Sequence, residues 1–244
     1  MSNKVPDVTV FFWTIKILAT TVGETAADFL SVRLHLGLIV TSYVMSAVFL
    51  IALFFQMRGT RYIRSVYWTV VVFISVVGTL ISDNLVDNLG ISLTTTTIAF
   101  SSILAVVFAL WWFSERTLSV HAITTTKREA FYWAAILFTF ALGTSAGDLV
   151  SESLHLGYPL SAVMFAAAIA ATAFAYFVFK IDGVLAFWVA YILTRPLGAS
   201  IGDFAFSARE ERRARARHDT DESRVSLHDR RPSIVSDVPA KASA

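Results

Sequence analysis

Long apolar runs separated by short polar or glycine-bearing turns fill the chain from Val8 to Phe206. Each is close to the ~20 residues needed to cross the hydrocarbon of a bilayer. The pattern predicts seven spans, at residues 8–30, 38–56, 66–86, 91–113, 130–150, 160–179 and 184–206. The spans alternate in kind. Spans two, four and six are plain, and the sixth is an Ala/Phe/Val run with no charged residue. Spans one, three, five and seven each end in a polar motif.

That motif is a Trp, a Gly ten residues later and an Asp five after that. It occurs as Trp13/Gly23/Asp28, Trp68/Gly78/Asp83, Trp133/Gly143/Asp148 and Trp188/Gly198/Asp203. The copies start 55, 65 and 55 residues apart, a tandem repeat. One complete repeat is a motif-bearing span, a short turn with Gly37, Gly90 or Gly157, and a plain span. The fourth repeat has its first span and lacks the partner. The fold class predicted is all-α: a polytopic transmembrane bundle of tandem two-helix repeats.

Composition agrees, with 56% hydrophobic and 16% charged residues where soluble domains carry about 25% charged. The absence of cysteine excludes disulfides, thiol catalysis and thiolate metal sites. The first residues show no cleavable leader, so the first span is expected to stay in the mature protein. The net charge of +2 says little, but its distribution predicts orientation. Lys4, Arg58, Arg61, Arg64, Arg116, Lys127, Arg128 and Lys180 lie at one side of the spans, against Arg33 alone at the other. By the positive-inside rule the N-terminus is cytoplasmic, in the plasma (inner) membrane, and the Asp-bearing ends face outward.

Two parts are expected, a transmembrane repeat domain over 1–206 and a charged tail over 207–244. The tail opens with AREERRARAR and has no apolar periodicity, which predicts disorder. After seven spans a basic tail would lie outside, against the charge rule. Three readings answer this: the tail is outside, span seven is re-entrant, or an eighth span was lost by truncation or frameshift and the tail is not native.

The stretches FFWTIKILATTVGETAAD at the start and FWVAYILTRPLGASIGD at the end carry a resemblance. Over about residues 5–206 the chain resembles a bacterial family of membrane proteins. That family is built from four tandem copies of a two-span repeat of unknown function, each with a characteristic tryptophan. The resemblance implies the architecture and no settled activity. Members carry a complete fourth repeat.

The glycines, with Gly143/Gly147 and Gly198/Gly202 four apart, read as close helix contacts. The tryptophans read as interfacial or packing anchors. The acids are the candidate chemistry, because a carboxylate in hydrocarbon must pair, neutralise or bind something. Asp28, Asp83, Asp148 and Asp203 are expected to converge at the outer ends of four parallel helices, whose C-termini add negative potential. Glu24 shares a helix face with Asp28. Lys16 and Arg195 also lie within spans and are expected to pair with acids, partly from other helices. Together these seven residues form the candidate ion- or substrate-binding cluster. A turn histidine such as His35 or His155 is ordinarily solvated.

Hydrolase, nucleotide-binding and zinc-finger signatures are absent, so no enzyme, cofactor or nucleic-acid partner is expected. The expected partners are the lipid bilayer and a small cation. The function expected is a transporter or channel for a small cation, a divalent metal or proton-coupled. The alternative is a membrane protein whose buried polar cluster only specifies helix packing.

Overall fold

The computed structural model describes residues 3–229, and among these all regular structure is helical, with no strand. Seven long helices follow one another: α1 (Val10–Asp28), α2 (Gly37–Arg58), α3 (Arg64–Asp83), α4 (Leu93–Glu115), α5 (Thr126–Asp148), α6 (Tyr158–Phe179) and α7 (Gly183–Asp229). Their positions match the predicted spans to within a few residues, except that α7 runs on well past residue 206. Side chains set several starts: Thr9, Ser92 and Thr125 accept the N–H of the third residue onward and cap α1, α4 and α5.

Three of the motif-bearing helices end alike. Immediately after Asp28, Asp83 and Asp148 the chain widens into π-helical turns at Phe29–Arg33, Asn84–Asn88 and Leu149–Ser153. Such widened turns are rare and gather at functional sites. The turns that follow reverse at Gly37, Gly90 and Gly157, with φ of 73°, 67° and 73°, a region that glycine enters without strain.

Burial separates two classes of helix. In α3, α5 and α7 the membrane-length window is 61% buried, whereas α2, α4 and α6 are 11%, 17% and 6% buried. The odd helices form an inner bundle and the even ones an apolar jacket, which explains why the latter are plain. Exposed Leu50, Phe55, Leu110, Phe113, Val163 and Phe177 suit the jacket to hydrocarbon. Among the described residues six helices are long and apolar enough to cross a membrane. α1 falls just short of them because Lys16, Glu24 and its threonines dilute it, yet it packs against α3 as an inner helix.

α7 passes Pro196 without a break, so the re-entrant reading of span seven does not describe this structure. Proline inside a membrane helix is tolerated where neighbours re-satisfy the freed carbonyl. The chain divides into a compact unit at Met1–Phe206 and a second at Ser207–Ala244. Where the sequence predicts disorder from Ser207, helix continues to Asp229. Ala, Glu and Arg are strong helix formers, and 207–229 holds no Gly or Pro. The remainder of the expected tail lies outside the described residues.

Candidate functional site

The inner bundle is a closed ring of four helices, and one sequence register builds it. The residue three before each motif glycine seats on the motif glycine of a neighbouring helix. Ser75 covers Gly23, Phe140 covers Gly78, Arg195 covers Gly143, and Thr20 covers Gly198, so the last helix closes on the first. A Cβ on any of these glycines would collide with the seated side chain. Each seated residue is completely buried. One turn further on, Ala27, Ser82, Gly147 and Gly202 occupy equivalent buried positions, so small residues continue the close approach.

Above the seats lies a central layer made by the residue after each glycine: Glu24, Thr79, Thr144 and Ala199, all buried. Thr79 Oγ1 donates to Glu24 Oε2 at 2.8 Å. The Arg195 guanidinium rises into this layer, with Nη2 2.7 Å from Glu24 Oε2 and donating to Thr144 Oγ1 at 2.8 Å and to Thr79 Oγ1. The Phe140 ring lies 5.1 Å from the guanidinium carbon. Arg195 has no exposed surface and Glu24 little, so water screens the pair hardly at all. Its Nε and Nη1 find no acceptor among the described residues. The expectation that Arg195 pairs with an acid of another helix is met by Glu24.

Lys16 departs from expectation. It is buried, and its ammonium donates to the Tyr191 carbonyl at 3.1 Å and to Thr194 Oγ1, not to a carboxylate. The Tyr191 ring, 3.9 Å away, supplies a π face. The physical reason is axial distance. Eight residues, about 12 Å of helix, separate Lys16 from Glu24, which Arg195 already holds. Lys16 instead meets α7 two turns nearer the N-terminal end.

The four motif aspartates sit one turn beyond the central layer. Each is part-exposed, and none accepts a hydrogen bond or forms an ion pair with a described residue. They converge: Asp83 lies within electrostatic reach of Glu24, Asp148 and Asp28, and Asp203 of Glu24, Asp148 and Asp28. Asp87 and Glu152 extend the acidic rim, where Glu152 accepts from the Tyr158 hydroxyl at 2.8 Å. Five acids of the predicted cluster therefore share one end of the ring with one base, Arg195, while Lys16 stands apart. No group of three or more His, Asp or Glu among the described residues is arranged to hold a metal ion. His35 and His155 are exposed in their turns.

The opposite end of the ring is an aromatic floor that the motif half announced. Each motif tryptophan follows another aromatic, as Phe12–Trp13, Tyr67–Trp68, Tyr132–Trp133 and Phe187–Trp188. The dipeptide repeats in all four copies, a signal that marks a layer facing the axis. There the Tyr67 and Tyr132 hydroxyls hydrogen-bond each other, Phe12 packs 6.0 Å from Phe187, and Trp188 Nε1 donates to the Leu118 carbonyl at 2.9 Å. The tryptophans are packing anchors: Trp133 and Trp188 are buried, and Trp13 and Trp68 are half-buried.

A family model described as Repeat of Unknown Function (DUF347) matches residues 11–62, 66–117 and 131–182. The three matches fall on the first three helix pairs and stop before the fourth Trp/Gly/Asp copy. No curated protein and no solved structure matches the chain.

Proposed function

The chain belongs to the family of the Repeat of Unknown Function (DUF347), and from that premise we propose that it is a transporter or channel for a small cation. One observation carries the reading: four part-exposed aspartates, with no hydrogen-bond or ion-pair partner among the described residues, converge over a buried Glu24–Arg195 pair on the axis of a closed four-helix ring. Unpaired carboxylates in a membrane bundle are costly and accumulate where ions or protons are handled. The aspartate rim gathers cations, and the carboxylate of Glu24 is the first group on the axis that a passing charge meets. Arg195 holds that group, so passage requires the pair to part.

In this reading the N-terminus lies in the cytoplasm, the rim faces outward, the membrane is the plasma membrane, and the partners are lipid and the cation. The protein acts without enzymatic chemistry. The packing-only alternative has one observation in its favour. In the central layer Glu24, Thr79 and Thr144 are dry and satisfy one another with Arg195.

The deciding experiment reconstitutes purified protein in vesicles and follows proton, Mn²⁺ and Zn²⁺ flux. Asp28→Asn, Asp83→Asn, Asp148→Asn and Asp203→Asn, combined, should abolish flux and leave detergent melting unchanged. If wild type moves none of these cations, and the Asn set melts early, the packing alternative stands.

A further inference from the structure

The molecule holds a second buried ion pair, at the end of the ring opposite the aspartates. Lys4 and Glu129 are 3% and 1% exposed, and Lys4 Nζ lies 2.7 Å from Glu129 Oε2. Glu129 Oε1 accepts from Gln56 Nε2 at 3.2 Å, and Lys4 Nζ also donates to the Met57 carbonyl at 3.0 Å. One lysine on the non-helical segment before α1 thus ties together the last turn of α2 and the first turn of α5. The Lys4 N–H adds a bond to the Ile123 carbonyl, and Val5 is buried beside it.

Repeat geometry does not require this arrangement. Glu129 stands fourteen residues before its motif glycine, and the equivalent residues in the other copies are Thr9, Arg64 and Val184. A charge buried at a single copy, against a lysine outside the repeat, is an addition to the ring. Its depth is also telling. Counting along the helices, Glu129 lies about 15 residues, or ~22 Å, from the level of Glu24. The two dry ion pairs therefore lie at levels about 22 Å apart along the bundle. Beside the segment a groove of about 830 Å³, lined by Val8, Thr9 and Val10 on one flank and by Ser119 and Val120 on another, leaves room for it to swing.

We propose that residues 3–9 are a strap that closes the N-terminal end of the bundle, latched by the Lys4–Glu129 pair and opening into the adjacent groove. This rests on the transport reading only in naming what the strap would close. A buried pair in which one partner is removed leaves an uncompensated charge, so the latch is stable when whole and releases when either member is lost. With the latch closed, the strap and the aromatic floor seal this end while the rim remains open at the other.

The chain has no cysteine, so a single introduced cysteine reports cleanly. Ile123→Cys, under the strap, is labelled with a membrane-impermeant maleimide in proteoliposomes of both orientations, and Val120→Cys serves as a second reporter. Adding Lys4→Gln should raise the labelling rate about tenfold or more, as loss of a buried ion-pair partner would. Lys4→Arg should keep it slow, and the reversed pair Lys4→Glu with Glu129→Lys should restore slow labelling. Fast labelling in the parent, no acceleration by Lys4→Gln, or no rescue by reversal would each overturn the strap. Labelling that follows the latch in vesicles without any cation flux would keep the strap and remove the transport reading. Flux with labelling blind to the latch would do the reverse.

Discussion

Arg195→Met tests the central layer most directly. The change removes the guanidinium that contacts Glu24, Thr79 and Thr144 and leaves the Glu24 carboxylate dry, with Thr79 as its remaining donor. Breaking a buried pair from one side costs about 3–5 kcal/mol, which in a chain of this size corresponds to a melting shift of roughly 6–20 °C. The full figure applies because neither partner is screened by water. Adding Glu24→Gln should recover most of the loss. The neutral amide keeps a bond with Thr79 and buries no charge, so the double variant should sit within about 1–2 kcal/mol of wild type. Arg195→Lys should fall between, since a point ammonium cannot span three acceptors as a planar fork does. Melting of detergent-purified protein, followed by the fluorescence of buried Trp133 and Trp188, reads wild type, these three variants and Glu24→Gln alone. A double variant as unstable as the sum of the singles would refute the argument. The pair would then be two independent contacts.

The two glycines of the α5 contact should respond oppositely to the same methyl group. Gly143→Ala must displace Arg195 and comes within 3.1 Å of Pro196 Cδ, so a loss of about 1–3 kcal/mol in detergent melting is expected. Gly147→Ala meets nothing nearer than 3.6 Å and should hold or gain up to about 1 kcal/mol from helix propensity. Gly143→Leu should go further and prevent assembly, seen as loss of the monodisperse peak in size-exclusion chromatography. Tyr67→Phe removes one hydroxyl from the bond with Tyr132 and should cost about 1 kcal/mol, the ordinary net worth of such a bond, with circular dichroism melting as the measure.

The architecture was legible because membrane spans are written locally. A run of apolar residues fixes its own helix, and a fixed Trp-to-Gly-to-Asp spacing places four helices in one register. From that register followed the close contacts at Gly23, Gly78, Gly143 and Gly198 and the convergence of the aspartates. What stayed hidden depends on rotation about the axis and on contacts between distant residues. Glu24 has no acidic counterpart at Thr79, Thr144 or Ala199, so its place on the axis is visible only once the layer is assembled. Lys16 was expected to find an acid, but rotation turns it toward the backbone and side chains of α7. Lys4 counted in the sequence as one more cytoplasmic charge; Glu129, 125 residues away, makes it a buried one. The helix over 207–229 was missed because helix propensity needs no apolar stripe.

Ring closure has a consequence for how the protein is made. The polar contacts of Lys16 and the ion pair of Glu24 all reach to the final helix, and Lys16 meets Thr194 across 178 residues of chain. At ribosomal speeds of ~5–20 residues per second, that interval is roughly 9–36 s. Throughout it, α1 carries an ammonium without its α7 contacts and a carboxylate whose one early partner is Thr79, and a charge in hydrocarbon is disfavoured by about 2.5–3.5 kcal/mol. α1 therefore completes its polar contacts only once α7 has been made. Shelter for α1 is needed until α7 arrives, so these two helices, far apart in sequence, commit to lipid together.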